Sequence, residues 1–145
     1  MVSGHAFFEC ALHEHHSAVS ELVTPPLDGM ILPGVTRDSV LALARSHASG
    51  GKQLQGLPSQ LKISERPVNM AEIIAASKTG RLVELFGVGT AAVVTPVERI
   101  GYLGSDIIIP TGVDGMGPVS RPLWKELVGI QTGEIASEWN FVVAK

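Results

Sequence analysis

The chain has 145 residues, 45% hydrophobic and 17% charged, with a formal net charge of −3. That is the size and make-up of one ordinary globular domain; it excludes a disordered tail and offers no basic stripe for nucleic acid or anionic lipid. Cys10 is the single cysteine, which excludes an internal disulfide and a thiolate metal cluster and points to an intracellular chain. The opening MVSGHAFFECALHEHH carries no Lys or Arg, and Glu9 cuts its apolar run, so it makes a poor targeting peptide and leaves cytoplasmic and mitochondrial placement undistinguished. No apolar run reaches membrane-spanning length.

Residues 21–24 predict a short strand running into Pro25-Pro26, with Asp28-Gly29 as a turn and residues 30–32 as a second brief strand. Val40, Leu41, Leu43 and Ala44 form an apolar stripe on a helix predicted over residues 36–48, with Asp38 in its first turn facing the positive helix end. A loop follows through residues 53–60. Leu61 and Ile63 alternate with polar neighbours as an edge-like strand that stops at Pro67. Asn69 with Glu72 resembles a capping box, opening a helix through Ser77 that Gly80 closes. Residues 82–86, 91–94, 97–102 and 106–109 are short strand candidates punctuated by Gly and Pro, residues 123–130 a helix, and residues 139–143 a terminal strand. The class is mixed α/β (α+β), with no internal domain boundary.

Three stretches invite chemistry. HEHH at 13–16 lacks the second histidine that a zinc-protease helix needs four places after His13, where Ser17 stands; His13 and His16 remain a possible pair without further ligands, and a solvated N-terminal segment is preferred. PGVTRDS at 33–39 places a glycine before a helix start, where unpaired N–H groups make an anion site; Thr36 could equally cap the helix. FGVGTA at 86–91 sets Gly87 and Gly89 around a valine, marking a bulge, a turn or the close approach of a ligand. Its Thr90 could give a hydroxyl to an anion or bond its own backbone.

ELVTPPLDGMILPGVTRDSVLALAR at 21–45, LVELFGVGTAAVVTPVERIGYLG at 82–104 and GMGPVSRPLWKELVGIQTGEIASEW at 115–139 resemble, in order, the signatures of branched-chain amino-acid aminotransferases of class IV, in wording nearest the fungal members. The resemblance covers residues 21–143, about 85% of the chain, and leaves residues 1–20 as a divergent segment before an aminotransferase C-terminal domain. It implies the fold-type IV architecture, of which this part would contribute short strands in a barrel-like sheet with flanking helices. It also implies a homodimer, pyridoxal 5′-phosphate as cofactor, and amino acids and 2-oxo acids as substrates. It implies further that Gly34, Val35, Thr36, Gly89 and Thr90 hold the cofactor phosphate, and that Thr90 and Ala91 receive the substrate carboxylate. Ala92 and Thr95 stand where some relatives carry a redox CxxC, so no thiol switch is expected.

The resemblance also places the Schiff-base lysine upstream, in a KLGGNYA-type segment, together with the arginine that grips the phosphate. None of Lys52, Lys62, Lys78, Lys125 and Lys145 lies in such a segment, so no catalytic residue is assigned. The glutamate that keeps the pyridine nitrogen protonated stands in a TEVGTMNFF-like strand; VSGHAFF at 2–8 overlays it through Phe7-Phe8, which puts Met1 on the glutamate. The chain therefore reads as the C-terminal half of an aminotransferase. Three functions follow: branched-chain transamination in company with an N-terminal half, a non-catalytic paralogue that binds a full-length relative, or a relic without activity. Strands cut from their partners and the stretch FFECAL predict exposed edges.

Overall fold

The computed structural model describes residues 8–13, 19–112, 114–141 and 143. Seven strands and three helices appear among them: β1 (Phe8–His13), β2 (Ser20–Thr24), α1 (Val35–Ala48), β3 (Leu61–Glu65), α2 (Met70–Lys78), β4 (Leu82–Gly89), β5 (Val93–Pro96), β6 (Arg99–Tyr102), β7 (Ser105–Ile108) and α3 (Ser120–Thr132). The mixed α/β class is as the sequence predicts.

Five strands form one sheet in the order β3-β2-β1-β4-β5, and β6 with β7 makes a separate hairpin. Only the β2–β3 pair is parallel, because α1 carries the chain back over the sheet between them. The sheet is open at β3 and β5 rather than a closed barrel. Both edges are blunted: β3 carries Lys62 and Glu65, and β5 is four residues long and ends at Pro96.

Two core clusters lie on the two faces of the sheet. Alternation along β2 sends Leu22 to one and Val23 to the other; β4 alternates likewise with Phe86 and Val88 on the first face and Leu85 on the second, and the register shift opposite Ala11 and Leu12 brings Leu82 to the second face as well. The first cluster seats α1 through Val40, Leu43 and Ala44, and α3 through Leu123 and Leu127; the second receives Ile73 and Ala76 of α2 and Ile109 just after the hairpin. With both faces covered, β2 is buried at all five positions, so it shows no alternation of apolar with exposed polar residues.

Most predicted elements form with shifted ends. Asn69 Oδ1 accepts the Glu72 N–H at 2.9 Å, as the capping motif predicts, but the Glu72 carboxylate turns away to Arg66 instead of closing the box. The strand expected over 82–86 runs on to Gly89, and the one expected from residue 91 starts at Val93, since Thr90, Ala91 and Ala92 make the turn between them. Three expectations fail. The stretch expected at an exposed edge, FFECAL, supplies the central strand β1, paired with β2 on one side and β4 on the other. Residues 30–32 form bends rather than a strand: the Asp28 side chain holds the Met30 N–H at 3.0 Å, and Met30 and Leu32 stand exposed with no neighbouring strand. The described part of residues 139–143 is no strand either, since Trp139 lies in a turn closed by the Asn140 N–H on Ser137 O. Of HEHH, His13 ends β1 and residues 14–16 lie outside the described residues, as do residues 2–7 of VSGHAFF.

Candidate functional site

Helix α1 begins directly after Gly34, whose extended backbone (φ −70°, ψ 135°) occupies the cap position without any side-chain cap. The Asp38 N–H is the first to bond back, to Gly34 O at 3.0 Å, so the N–H groups of Val35, Thr36 and Arg37 have no partner inside the helix. Thr36 lies within the first turn, and its hydroxyl makes no hydrogen bond among the described residues; it does not cap the helix. Val35 is exposed, and a Cβ placed on Gly34 would meet nothing within 4 Å. Three donors without a helical partner and a hydroxyl with none among the described residues therefore stand at the positive end of a 14-residue helix, an arrangement suited to a phosphate or carboxylate.

The helix start is held by Arg37, which is 4% exposed. Its Nε donates to Thr24 Oγ1 at 3.2 Å, and its Nη2 to Pro25 O at 2.9 Å and to Glu65 Oε2 at 2.8 Å. Arg45 grips the other oxygen of Glu65. Hydrogen bonds from Arg37 and then Arg45 hold the Glu65 carboxyl below the usual carboxylate range. This fastening joins the end of β2, the end of β3 and the first turn of α1, so the open N–H groups sit on a fixed base.

The second half of the candidate site is the β4–β5 turn. Gly89 ends β4 opposite Val93, and Thr90, Ala91 and Ala92 are all exposed between them. The Thr90 hydroxyl makes no hydrogen bond among the described residues, so it is not spent on its own backbone. A Cβ on Gly89 would meet nothing within 4 Å: packing within the chain does not require glycine there, and the backbone is open to whatever approaches from outside. Val88, Val93 and Val94 of this hairpin join the same core cluster as Val40, Leu43 and Ala44 of α1. Helix start and turn thus share one foundation. A groove of about 540 Å³ between α1 and α3 reaches Val35, and another of about 570 Å³ lies against the start of α3; neither is lined by the β4–β5 turn.

The lysines sit apart from this arrangement. Lys52 pairs with Glu126 and Lys62 with Glu21 at 3.2 Å; Lys78 and Lys125 are exposed, and Lys145 lies outside the described residues. The described residues thus suit the phosphate of a pyridoxal 5′-phosphate, and none of the four described lysines is a buried amine for its aldehyde.

Two buried carboxylates are structural. Glu84, 2% exposed in the middle of β4, accepts from Gly117 N at 3.0 Å, Val119 N at 2.5 Å, Ser120 N at 3.0 Å and the Ser120 hydroxyl, capping α3 from a strand. A carboxylate in the apolar run LVELF is the one sequence signal that could have flagged it. Glu21, 7% exposed, meets Arg66 at 3.0 Å, Ser64 at 2.6 Å and Lys62. Burial would raise its carboxyl, but the hydrogen bonds from Arg66, Ser64 and Lys62 outweigh it and bring the value down to about 2. A depressed carboxyl contributes stability that is complete above the ordinary value of 4.5 and disappears as pH falls towards 2. Denaturant unfolding is therefore expected to show about 2–3 kcal/mol lost between pH 5 and pH 2 through Glu21, with Glu65 adding in the same direction. Glu21→Gln should flatten most of that slope; an unchanged slope would remove Glu21 as its source.

Residues 18–100 match the family model described as amino-transferase class IV. A branched-chain-amino-acid aminotransferase of Monosiga brevicollis is 42% identical over 124 residues, 86% of this chain and 29% of that protein. The mitochondrial one of Schizosaccharomyces pombe is 45% identical over 116 residues, 79% of this chain and 25% of that protein. Of these two organisms only the second is a fungus, so the expected fungal likeness is borne out in part. Among solved structures, the branched-chain amino acid aminotransferase from Escherichia coli superposes with a TM-score of 0.58 at 27% identity, over 93% of this chain and 36% of that one. The chain spans about 30% of the length of the first relatives it matches. No helix among the described residues is long and apolar enough to cross a membrane. By the family model over more than half its length, and by relatives more than 40% identical over most of it, the chain belongs to the class IV aminotransferases.

Proposed function

We propose that these 145 residues form the phosphate-holding part of a branched-chain aminotransferase that exchanges amino groups between leucine, isoleucine or valine and 2-oxoglutarate. The observation that carries this reading is the pair of open backbone sites on one core cluster, the uncapped start of α1 with its free Thr36 and the β4–β5 turn with its free Thr90. Val35 and Thr36 N–H groups would hold the phosphate of pyridoxal 5′-phosphate, Gly34 and Gly89 would let it come close, and Thr90 would add its hydroxyl. Thr90 and Ala91 would also receive the substrate carboxylate. When bound, the cofactor supplies a carbonyl that carries the amino group and a ring that accepts electrons. The amine that attaches it would come from chain outside these 145 residues or from a partner, since the four described lysines are exposed. Membership of the class IV family supports small-molecule substrates and oligomerisation, and the proposed assembly is a homodimer.

Titration of the purified chain with pyridoxal 5′-phosphate, and separately with pyridoxal, tests this. The phosphate-bearing compound should bind about tenfold more tightly, the value of roughly one charge-assisted contact set. Thr90→Val and Thr36→Val should each reduce that difference. No glutamate should form from leucine and 2-oxoglutarate with this chain alone. Equal binding of the two compounds would overturn the phosphate assignment, and turnover by the chain alone would mean that one of its own lysines supplies the amine.

A further inference from the structure

Val93 rejoins the sheet at the end of the β4–β5 turn with its backbone in the left-handed region, at φ 60°. There the Cβ crowds the following carbonyl, and a branched side chain makes the crowding worse; glycine and asparagine are the usual occupants. Leu103 is the other non-glycine residue of this kind among those described, at φ 49°. It has a local explanation: with Gly104 at φ 77° it forms the two-residue turn between β6 and β7, a turn type that needs both residues left-handed. Val93 closes the three-residue loop Thr90–Ala92, a class of hairpin that commonly takes one left-handed residue where the strand resumes, but that residue is usually glycine.

What Val93 has instead is an anchor. Its side chain is half-buried and packs against the cluster formed by Leu22, Phe86, Val88 and Val94 together with the α1 residues. Seven described glycines take positive φ elsewhere in the chain, yet this position carries a residue that resists that conformation. Strain of this sort persists only where the surroundings over-determine it, and it gathers at sites that must be held in place. The three residues just before it, Thr90, Ala91 and Ala92, are exposed, and the Thr90 hydroxyl has no partner among the described residues. Two things hold this turn at its far end: the pairing of Val93 with Gly89 and the seating of the Val93 side chain in the core.

We propose that Val93 is a positioning residue: seating its side chain in the core forces the left-handed backbone that fixes the Thr90–Ala92 turn towards a phosphate-bearing ligand. This inference rests on the phosphate cradle proposed above. Val93 touches no ligand itself; it acts through Thr90.

Two variants of the 145-residue chain test it. Val93→Gly removes strain and anchor together, so the two effects on stability oppose each other and the melting midpoint should move by less than about 4 °C. Val93→Ile keeps a branched anchor. In the glycine variant, amide exchange in the ladder that closes the turn, at Val88, Gly89, residue 93 and Val94, should quicken at least about tenfold, since local opening is no longer tied to the core. Its Kd for pyridoxal 5′-phosphate should rise about five- to tenfold. The isoleucine variant should keep the parent's values for both. Exchange in Val93→Gly at the parent's rate overturns the anchoring, whatever the ligand does. Faster exchange with unchanged affinity overturns the link to the ligand. Failure of the parent chain to bind pyridoxal 5′-phosphate overturns the cradle and the inference with it, while the exchange result still reports on the anchor separately.

Discussion

Glu84→Ala is expected to destabilise the chain by about 3–5 kcal/mol in urea unfolding at pH 7, a large share of the roughly 5–15 kcal/mol that holds a typical domain folded. The substitution removes four acceptor contacts at once and strands Val119 N, Ser120 N and the Ser120 hydroxyl proton in a buried place, while Gly117 N keeps the Ser120 hydroxyl oxygen at 3.0 Å. Val119 itself brings no side-chain cap to α3, so nothing local can replace the carboxylate. Gly117 supplies an internal check. A Cβ there would lie 2.3 Å from Glu84 Oε2 and 2.5 Å from its carboxyl carbon, so Gly117→Ala should also destabilise strongly. Once Glu84 is alanine the obstruction is gone, and the double variant should cost clearly less than the sum of the two. Additive losses would show that the glycine is needed for a reason other than the carboxylate, and a loss under about 1 kcal/mol for Glu84→Ala would show that water reaches those donors.

Arg37→Leu carries the second large effect, about 2–4 kcal/mol. The guanidinium ties Thr24, Pro25 and Glu65 together from the first turn of α1, and its loss leaves a buried hydroxyl and carbonyl unpaired. Glu65 keeps Arg45, which limits the cost. Arg37→Lys should restore little, because one ammonium cannot reach the three acceptors that the planar fork serves from Nε and Nη2. The helix start would also lose its base, so binding of pyridoxal 5′-phosphate should weaken along with stability. A variant that binds as the parent does would separate Arg37 from the cradle and leave it a purely structural residue.

The helices show what sequence alone can settle. The spacing of Val40, Leu41, Leu43 and Ala44 determined α1 to within one residue, and Asn69 determined the start of α2, because the apolar period and the cap act over three or four neighbours. The ordered motifs determined the family, and with it the two stretches, PGVTRDS and FGVGTA, on which the cradle is proposed. Residues 30–32 and 139–143 resemble strands in apolar content alone, which cannot reveal whether a neighbouring strand lies within reach; none does in the described part of either. The partners of Glu84 stand 33 to 36 residues away, those of Arg37 lie 12 to 28 away, and Val93 takes its backbone conformation while packing into a core that six elements of the fold assemble. Those contacts join residues distant in the chain, so only the tertiary structure could decide them.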